Sequence, residues 1–379
     1  LYTETGEDSL LMALDSIWND VVTKKLYITG ACGALYDGVS PNGTTYDPKI
    51  IQQVHQAYGQ AYQLPNITAY NETCANIGNV LWNHRMLLAT GDSRYADILE
   101  LSLFNSVLSG TDLGGTKFNY TNPLRVDHDL PYDLRWKKER EEYIALSNCC
   151  PPNVVRTVAE SHNYAYALSK TGLVVNLYGS NELKTSLVDG SSLELKQETD
   201  YPWDGTIKLH IAKAPRSPKD IDLRIPGWTN NAVIRINGRE IPVSAEAGSY
   251  ARLNRAWKKG DIIELHLPMQ AQLMEANPLV EEARNQVAVK RGPIVYCIES
   301  PDLDGASIFD VAIPADIQLN PVKDDIAGVQ ITFLQGEALL HSPKDWNAGL
   351  YQAIHSKNIL QKINIRLIPY FAWGNRGKS

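Results

Sequence analysis

The chain contains no run of about 18 apolar residues, so nothing in it reads as a membrane-spanning helix. It also lacks a basic patch able to neutralise a phosphate backbone, which argues against a nucleic-acid partner. Acidic residues outnumber basic ones, 43 to 36, for a net charge of -7. The longest basic run, Arg135 to Arg140, is broken by Trp136 and followed by Glu141-Glu142. No internal repeat and no low-complexity tract is present. Cysteine is scarce, and the five present are Cys32, Cys74, Cys149, Cys150 and Cys297. An odd number and one vicinal pair argue against a disulfide scaffold and favour reduced thiols or a metal, although no CxxC spacing marks a metal site.

The 379 residues are enough for two or three domains, and 44 % hydrophobic with 21 % charged content is ordinary for a globular chain. The sequence opens at Leu1 inside an amphipathic pattern and stops soon after the strand-like 363–373. Both ends therefore read as cut, and missing targeting signals carry no information about compartment.

Residues 1–170 read as helical with long loops. Leu10, Leu11, Leu14, Ile17, Trp18 and Val21 recur at helical spacing, predicting a helix over 7–25. A Gly/Asn/Pro-rich stretch follows over 30–48, then a short helix over 50–58. Two further helices, 70–89 and 93–108, are separated by the Gly91-Asp92-Ser93 stop and cap. Pro151-Pro152 can start a last helix over 153–169. Beyond residue 171 the period changes to two, predicting strands near 173–178, 207–211, 222–225, 232–236, 262–267, 286–291, 294–298, 328–333 and 361–369. Asn237-Gly238 is a hairpin turn signal. The organisation is multidomain α plus β: a helical region to 170, a β-sandwich module at 171–276 and a second at 277–379.

The chemistry-bearing residues form two clusters, Glu72-Thr73-Cys74 and Asn148-Cys149-Cys150-Pro151-Pro152-Asn153. Three thiols and one carboxylate suit a tetrahedral zinc. Glu72 and Cys74 are two apart, a poor spacing for one helical face, though a frayed first turn allows convergence. Both clusters open predicted helices, whose positive ends favour thiolates. On the residues alone, a structural zinc, a catalytic thiolate and no metal stay equally open. Cys32 and Cys297 read as small buried hydrophobes. Asp127-His128-Asp129 reads first as a polar loop, and His55 as either a pocket residue or a surface one. Four glycosylation triplets begin at Asn42, Asn66, Asn71 and Asn119, of which Asn71 lies too close to Glu72 for a glycan. Among the aromatic residues, Trp136 is the first candidate for sugar stacking.

Residues 62–66 and Ala69-Tyr70-Asn71-Glu72-Thr73-Cys74-Ala75 resemble the signature of glycoside hydrolase family 127 and its relative family 146. So do Tyr120-Thr121-Asn122-Pro123-Leu124, the Cys-Cys-Pro-Pro-Asn segment, and Pro369-Tyr370-Phe371-Ala372-Trp373-Gly374-Asn375-Arg376-Gly377. The resemblance runs over essentially the whole chain. It implies part of an (α/α)6 barrel, without its N-terminal half, followed by antiparallel β-sandwich modules. It also implies a retaining, zinc-dependent β-L-arabinofuranosidase acting on arabinofuranosyl-containing glycans or oligosaccharides. By position, Glu72, Cys74, Cys149 and Cys150 are the implied zinc ligands, and Cys149 is also the implied nucleophile. Tyr120 is the implied substrate contact, with Gln56 and His55 beside it. The family 127 pattern carries its acid/base Glu sixteen residues before the ligand Glu, where this chain has Gln56. An amide cannot shuttle that proton, which points toward the family 146 side. A carbohydrate-binding or scaffolding protein with a purely structural zinc is the alternative.

Overall fold

The computed structural model describes residues 1–35, 57–126, 136–341, 350–351 and 360–377. The expected short helix over 50–58 falls almost wholly outside them.

The first region is helical. α1 (Tyr2–Thr5) turns at Gly6 into α2 (Asp8–Lys24), which buries Trp18 and Val21. α3 (Thr73–Thr90) ends at Gly91, a residue in the left-handed region, and Asp92 caps α4 (Ser93–Leu101) by accepting from the Arg94 amide. α3 is the hub. Its Met86 and Leu87 meet Trp18 and Tyr95 on one side. Its Ile77 and Val80 meet Leu99, Leu103 and Val154 on the other.

α4 does not end where its α-geometry does. The chain continues through a π-helical turn, Ser102–Val107, and a 3-10 turn, Leu108–Gly110. The expected 93–108 helix therefore exists, but its second part is wound differently. Polar side chains inserted beside the backbone ladder account for this. Asn105 Nδ2 donates to Leu101 O and Pro293 O, both at 2.8 Å, while its Oδ1 accepts from the Val295 amide. Ser102 Oγ donates to Gly30 O and accepts from Asn79 Nδ2.

α5 (Cys150–Glu160) carries Pro in its first turn and passes into a 3-10 turn, Ser161–Tyr164. The helix expected to reach residue 169 stops earlier because Tyr166–Leu168 pairs antiparallel with Leu173–Val175. Ser169 Oγ accepts from the Thr171 and Gly172 amides and closes the turn between them.

The middle region is two facing sheets. One orders its strands Tyr166–Leu168, Gly172–Val175, Lys219–Ile225 and Ser249–Arg255, with a parallel pair at its centre. The other has six strands in the order Asn181–Ser186, Ser192–Thr199, Thr206–Lys213, Ile262–His266, Val233–Ile236 and Arg239–Glu240. Alternate residues point inward from both, so that Leu193, Leu195, Leu209 and Ile263 share one core with Val175, Leu223 and Leu253. Asn237 and Gly238 both have positive φ, as the predicted hairpin turn requires.

The last region differs from the second sandwich expected there. Its described strands form a single seven-stranded sheet built around Ile294–Ile298, Gln361–Pro369 and Val329–Leu340. One face packs Val289, Tyr296, Leu334 and Leu367 beneath its own loops. The other sets Val295, Phe333, Ile368 and Trp373 against Ile28, Leu101, Leu113 and Leu124 of the helical region. The face that a second sheet would cover is occupied by α4 and the loops of the helical region.

A buried ionic cluster joins α4 to the middle region. Arg224, whose side chain has no solvent exposure, contacts Asp97 at 2.6 Å and Glu100 at 2.5 Å. Tyr201 Oη and Trp228 Nε1 donate to the two oxygens of Glu100.

Candidate active site

Glu72 and Cys74 share a site because only one of them is helical. Asn71 adopts a positive φ of 37°, and Glu72 is extended, immediately before the first turn of α3. Glu72 forms a bridge with Thr121, and the Thr73 amide donates to Tyr120 O at 2.9 Å. The unfavourable i,i+2 spacing thus disappears: the carboxylate comes from the strand side and the thiol from the helix.

A fully buried amide fixes this junction. Asn122 Nδ2 donates to Asn71 O at 3.0 Å and to Thr73 Oγ1 at 2.9 Å, while its Oδ1 accepts from Ser109 Oγ at 3.0 Å. Asn71 Nδ2 returns a bond to Asn122 O at 3.0 Å. The late Tyr370 reaches the same strand, donating to Asn122 O and Pro123 O. Replacement Asn122→Ala is expected to cost about 2 kcal/mol, since it strips partners from buried polar groups. A urea titration unchanged from the parent protein would count against that role.

Cys149 and Cys150 stand at the start of α5, Cys149 as its N-cap. The Cys74–Cys149, Cys74–Cys150 and Cys149–Cys150 sulfur separations are 3.3, 3.5 and 3.9 Å. These are far beyond the roughly 2.05 Å of a disulfide, and all three thiols are free. Glu72 Oε1 lies 4.0 Å from Cys149 Sγ, and the four candidate ligand atoms all fall within 4.8 Å of one another. A tetrahedron with Zn–S bonds of about 2.3 Å has sulfur–sulfur edges of roughly 3.8 Å. The donor set and its spacing therefore fit a zinc-type ion.

The thiols are electrostatically unequal. Hydrogen bonding with Cys150 first, then with Asn153 and Cys149, pulls the Cys74 thiol down against the penalty of burial. The Cys74 hydrogen bond and burial push Cys150 far up, and burial pushes Cys149 up. Cys150 is fully buried, whereas Cys149 is partly exposed and accepts a long bond from Ser147 Oγ at 3.6 Å.

An aromatic wall closes one side. Tyr120 stacks on Trp136, with centroids 3.5 Å apart and planes within 5°, and meets the edge of Tyr70. Burial raises the Tyr120 phenol well above its usual range. Phe118, Ile144 and Ala34 complete this cluster, which packs on Cys74, Cys149 and Cys150. Trp136 is thus a partner of Tyr120, not an open platform. Asn71 and Asn119 are 0 % and 1 % exposed, so neither triplet can carry a glycan. His55, Gln56, Asn42 and the Asp127-His128-Asp129 segment lie outside the described residues. Nothing in the sequence marked out Asn122, Ser109, Ser147 or the role of Asn153. Two of these stand within the family motifs, but an Asn in a motif does not announce what it bonds.

Three family models match the chain in succession. They are the β-L-arabinofuranosidase GH127 catalytic domain over residues 1–163, the GH127 middle domain over 172–269, and the family 127 C-terminal domain over 271–379. All are family 127 models, the side that the Gln56 departure had argued against. A non-reducing end β-L-arabinofuranosidase of Bifidobacterium longum subsp. longum is 30 % identical over 98 % of this chain and 55 % of its own length. A solved glycoside hydrolase superimposes with a TM-score of 0.92 at 54 % identity, over all of this chain and 62 % of that one. The structure of a GH127 β-L-arabinofuranosidase from Geobacillus stearothermophilus T6 gives a TM-score of 0.86 at 35 % identity, over all of this chain and 56 % of that one. The chain thus spans little more than half the length of these relatives. With three family models matched in order around a Glu/Cys cluster of the right chemistry, the chain belongs to glycoside hydrolase family 127.

Proposed function

We propose that the protein is a retaining exo-glycosidase that releases β-L-arabinofuranose from plant glycans, with Cys149 as its nucleophile. The observation that carries this reading is the convergence of Glu72, Cys74, Cys149 and Cys150 at two helix N-termini in a chain of this family. On the same reading, residues 1–170 are the C-terminal part of an (α/α)6 barrel, followed by modules at 171–276 and 277–379. Glu72, Cys74, Cys149 and Cys150 hold a zinc ion. When bound, that ion keeps the thiolates ionised and makes sulfur a better leaving group.

The steps on this chain's own atoms are simple. The Cys149 thiolate attacks the anomeric carbon, the C–S bond forms, and the C–O bond to the departing glycan breaks. A water then attacks the same carbon, giving its proton to the group that had protonated the departing oxygen, the C–S bond breaks, and Cys149 recovers its thiolate, with configuration retained overall. Cys149 suits this role better than Cys150 because it is partly exposed while Cys150 is buried. Glu72, as a ligand, must stay ionised, so the proton for the departing oxygen comes from a group outside the ligand set. Tyr120, His55 and Gln56 contact the sugar on this reading, with Trp136 and Tyr70 holding the Tyr120 ring.

Incubation with a haloacetamide-bearing arabinofuranoside, followed by peptide mapping, tests the proposal. Label is expected on Cys149 alone. Stoichiometric zinc with no label and no arabinose release would leave a structural zinc in a carbohydrate-binding protein.

A further inference from the structure

Cys74 has a polar neighbour that the proposed chemistry does not use. Asn153 Nδ2 donates to Cys74 Sγ at 3.1 Å, from the first turn of α5. The orientation of that amide is fixed from outside. Arg156, one turn further along, donates through a terminal nitrogen to Asn153 Oδ1 at 3.0 Å. An arginine offers only donors, so the amide oxygen must face Arg156 and its NH2 must face the sulfur. Cys74 is therefore a hydrogen-bond acceptor here, and the guanidinium charge is relayed to it through one amide. Among the described residues no amide donates to Cys149: it accepts from the neutral Ser147 hydroxyl at 3.6 Å and lies 4.0 Å from the Glu72 carboxylate.

We infer that Asn153, oriented by Arg156, is a positioning residue that reserves Cys74 as a spectator ligand and leaves the nucleophilic work to Cys149. An N–H donor on a thiolate draws electron density from sulfur, so Cys74 is the poorer nucleophile while still able to ligate. The same bond ties the start of α5 to the second residue of α3, holding the two halves of the ligand set in register. The vicinal pair is thereby divided from the third cysteine by hydrogen bonding as well as by position. This inference rests on the metal reading proposed above.

The test uses cobalt(II) in place of zinc, because thiolate-to-cobalt charge transfer reports directly on sulfur donation. In Asn153→Ala the near-ultraviolet band is expected to move to longer wavelength. The zinc dissociation constant, from competition with a chromophoric chelator, is expected to rise roughly 10- to 100-fold. Arg156→Ala is expected to shift the band less, in the same direction, and Arg156→Lys to restore it. Arg156 is exposed, so its variants stay interpretable if Asn153→Ala fails to fold. A band and a dissociation constant unmoved in Asn153→Ala, or a band unmoved in a folded Arg156→Ala, would overturn the inference while leaving the metal site standing. A parent protein that takes up no cobalt at all would instead overturn the metal reading, and this one with it.

Discussion

Cys149→Ala is expected to lower kcat/KM for a β-L-arabinofuranoside by at least about 10⁴-fold, equivalent to about 5.5 kcal/mol of barrier. On the proposed reading this change removes the covalent route itself, so no neighbouring contact can make up the loss. Three of the four candidate ligands survive the change, and zinc binding is expected to weaken but persist. Cys150→Ala supplies the comparison. That thiol is fully buried, and losing it should weaken zinc binding without deleting the attacking atom. The separation of the two effects is the diagnostic feature. Arabinose release by Cys149→Ala within tenfold of the parent would remove Cys149 from the role proposed for it. Cys149→Ser is expected to behave like the alanine variant, because a hydroxyl ionises far less readily than a thiol.

The largest effect on stability is expected at Arg224. Arg224→Met should cost about 3–5 kcal/mol, because it strands the buried Glu100 and the partly buried Asp97. Glu100 is 1 % exposed, and Asp97 is held above the ordinary carboxylate range by burial, with Arg224 opposing that rise. The loss does not measure what the cluster adds to stability. It measures the cost of leaving Asp97 and Glu100 without their cation. The double replacement Arg224→Met with Glu100→Gln is therefore expected to be less unstable than Arg224→Met alone. A double variant as unstable as the sum of its parts would mean that packing, not charge, dominates at this joint. Urea midpoints for the four proteins decide between the two. Because α4 runs on into the π-helical turn that contacts Gly30 and Asn79, the site's supporting helices depend on the same joint.

Much of the fold is legible in the order of the residues. The start of α2, the Gly91 stop, the Asp92 cap and the Pro-opened α5 follow from side chains acting within one turn of themselves. The strands with clean alternation, such as Thr206–Lys213 and Ile262–His266, are readable for the same reason. Strands without that pattern are not. Asn181–Ser186 has a single apolar residue, Leu183, and every second position exposed, and Asn320–Ile326 is mostly exposed. Each is a strand because a neighbour supplies its hydrogen bonds. The π-helical turn is equally invisible in the sequence, since Asn105 bends the ladder by bonding to Pro293 and Val295, 188 and 190 residues away.

The site divides along the same line. By itself the sequence determined the ligand types, their place at helix starts, and the family motifs that name them, because residue identity and local capping are short-range properties. Only the tertiary structure decided that the two clusters are one site. Asn122 bonds Asn71 and Thr73, on either side of Glu72, and so pins that junction to the segment carrying Tyr120, while packing of α3 against α5 brings Cys149 and Cys150 within 4 Å of Cys74. It also decided which face of the last sheet the helical region covers, and that the Asn153 amide presents its nitrogen to sulfur. These are contacts between groups distant in sequence. Their geometry depends on how whole elements pack, and no local pattern of residues encodes it.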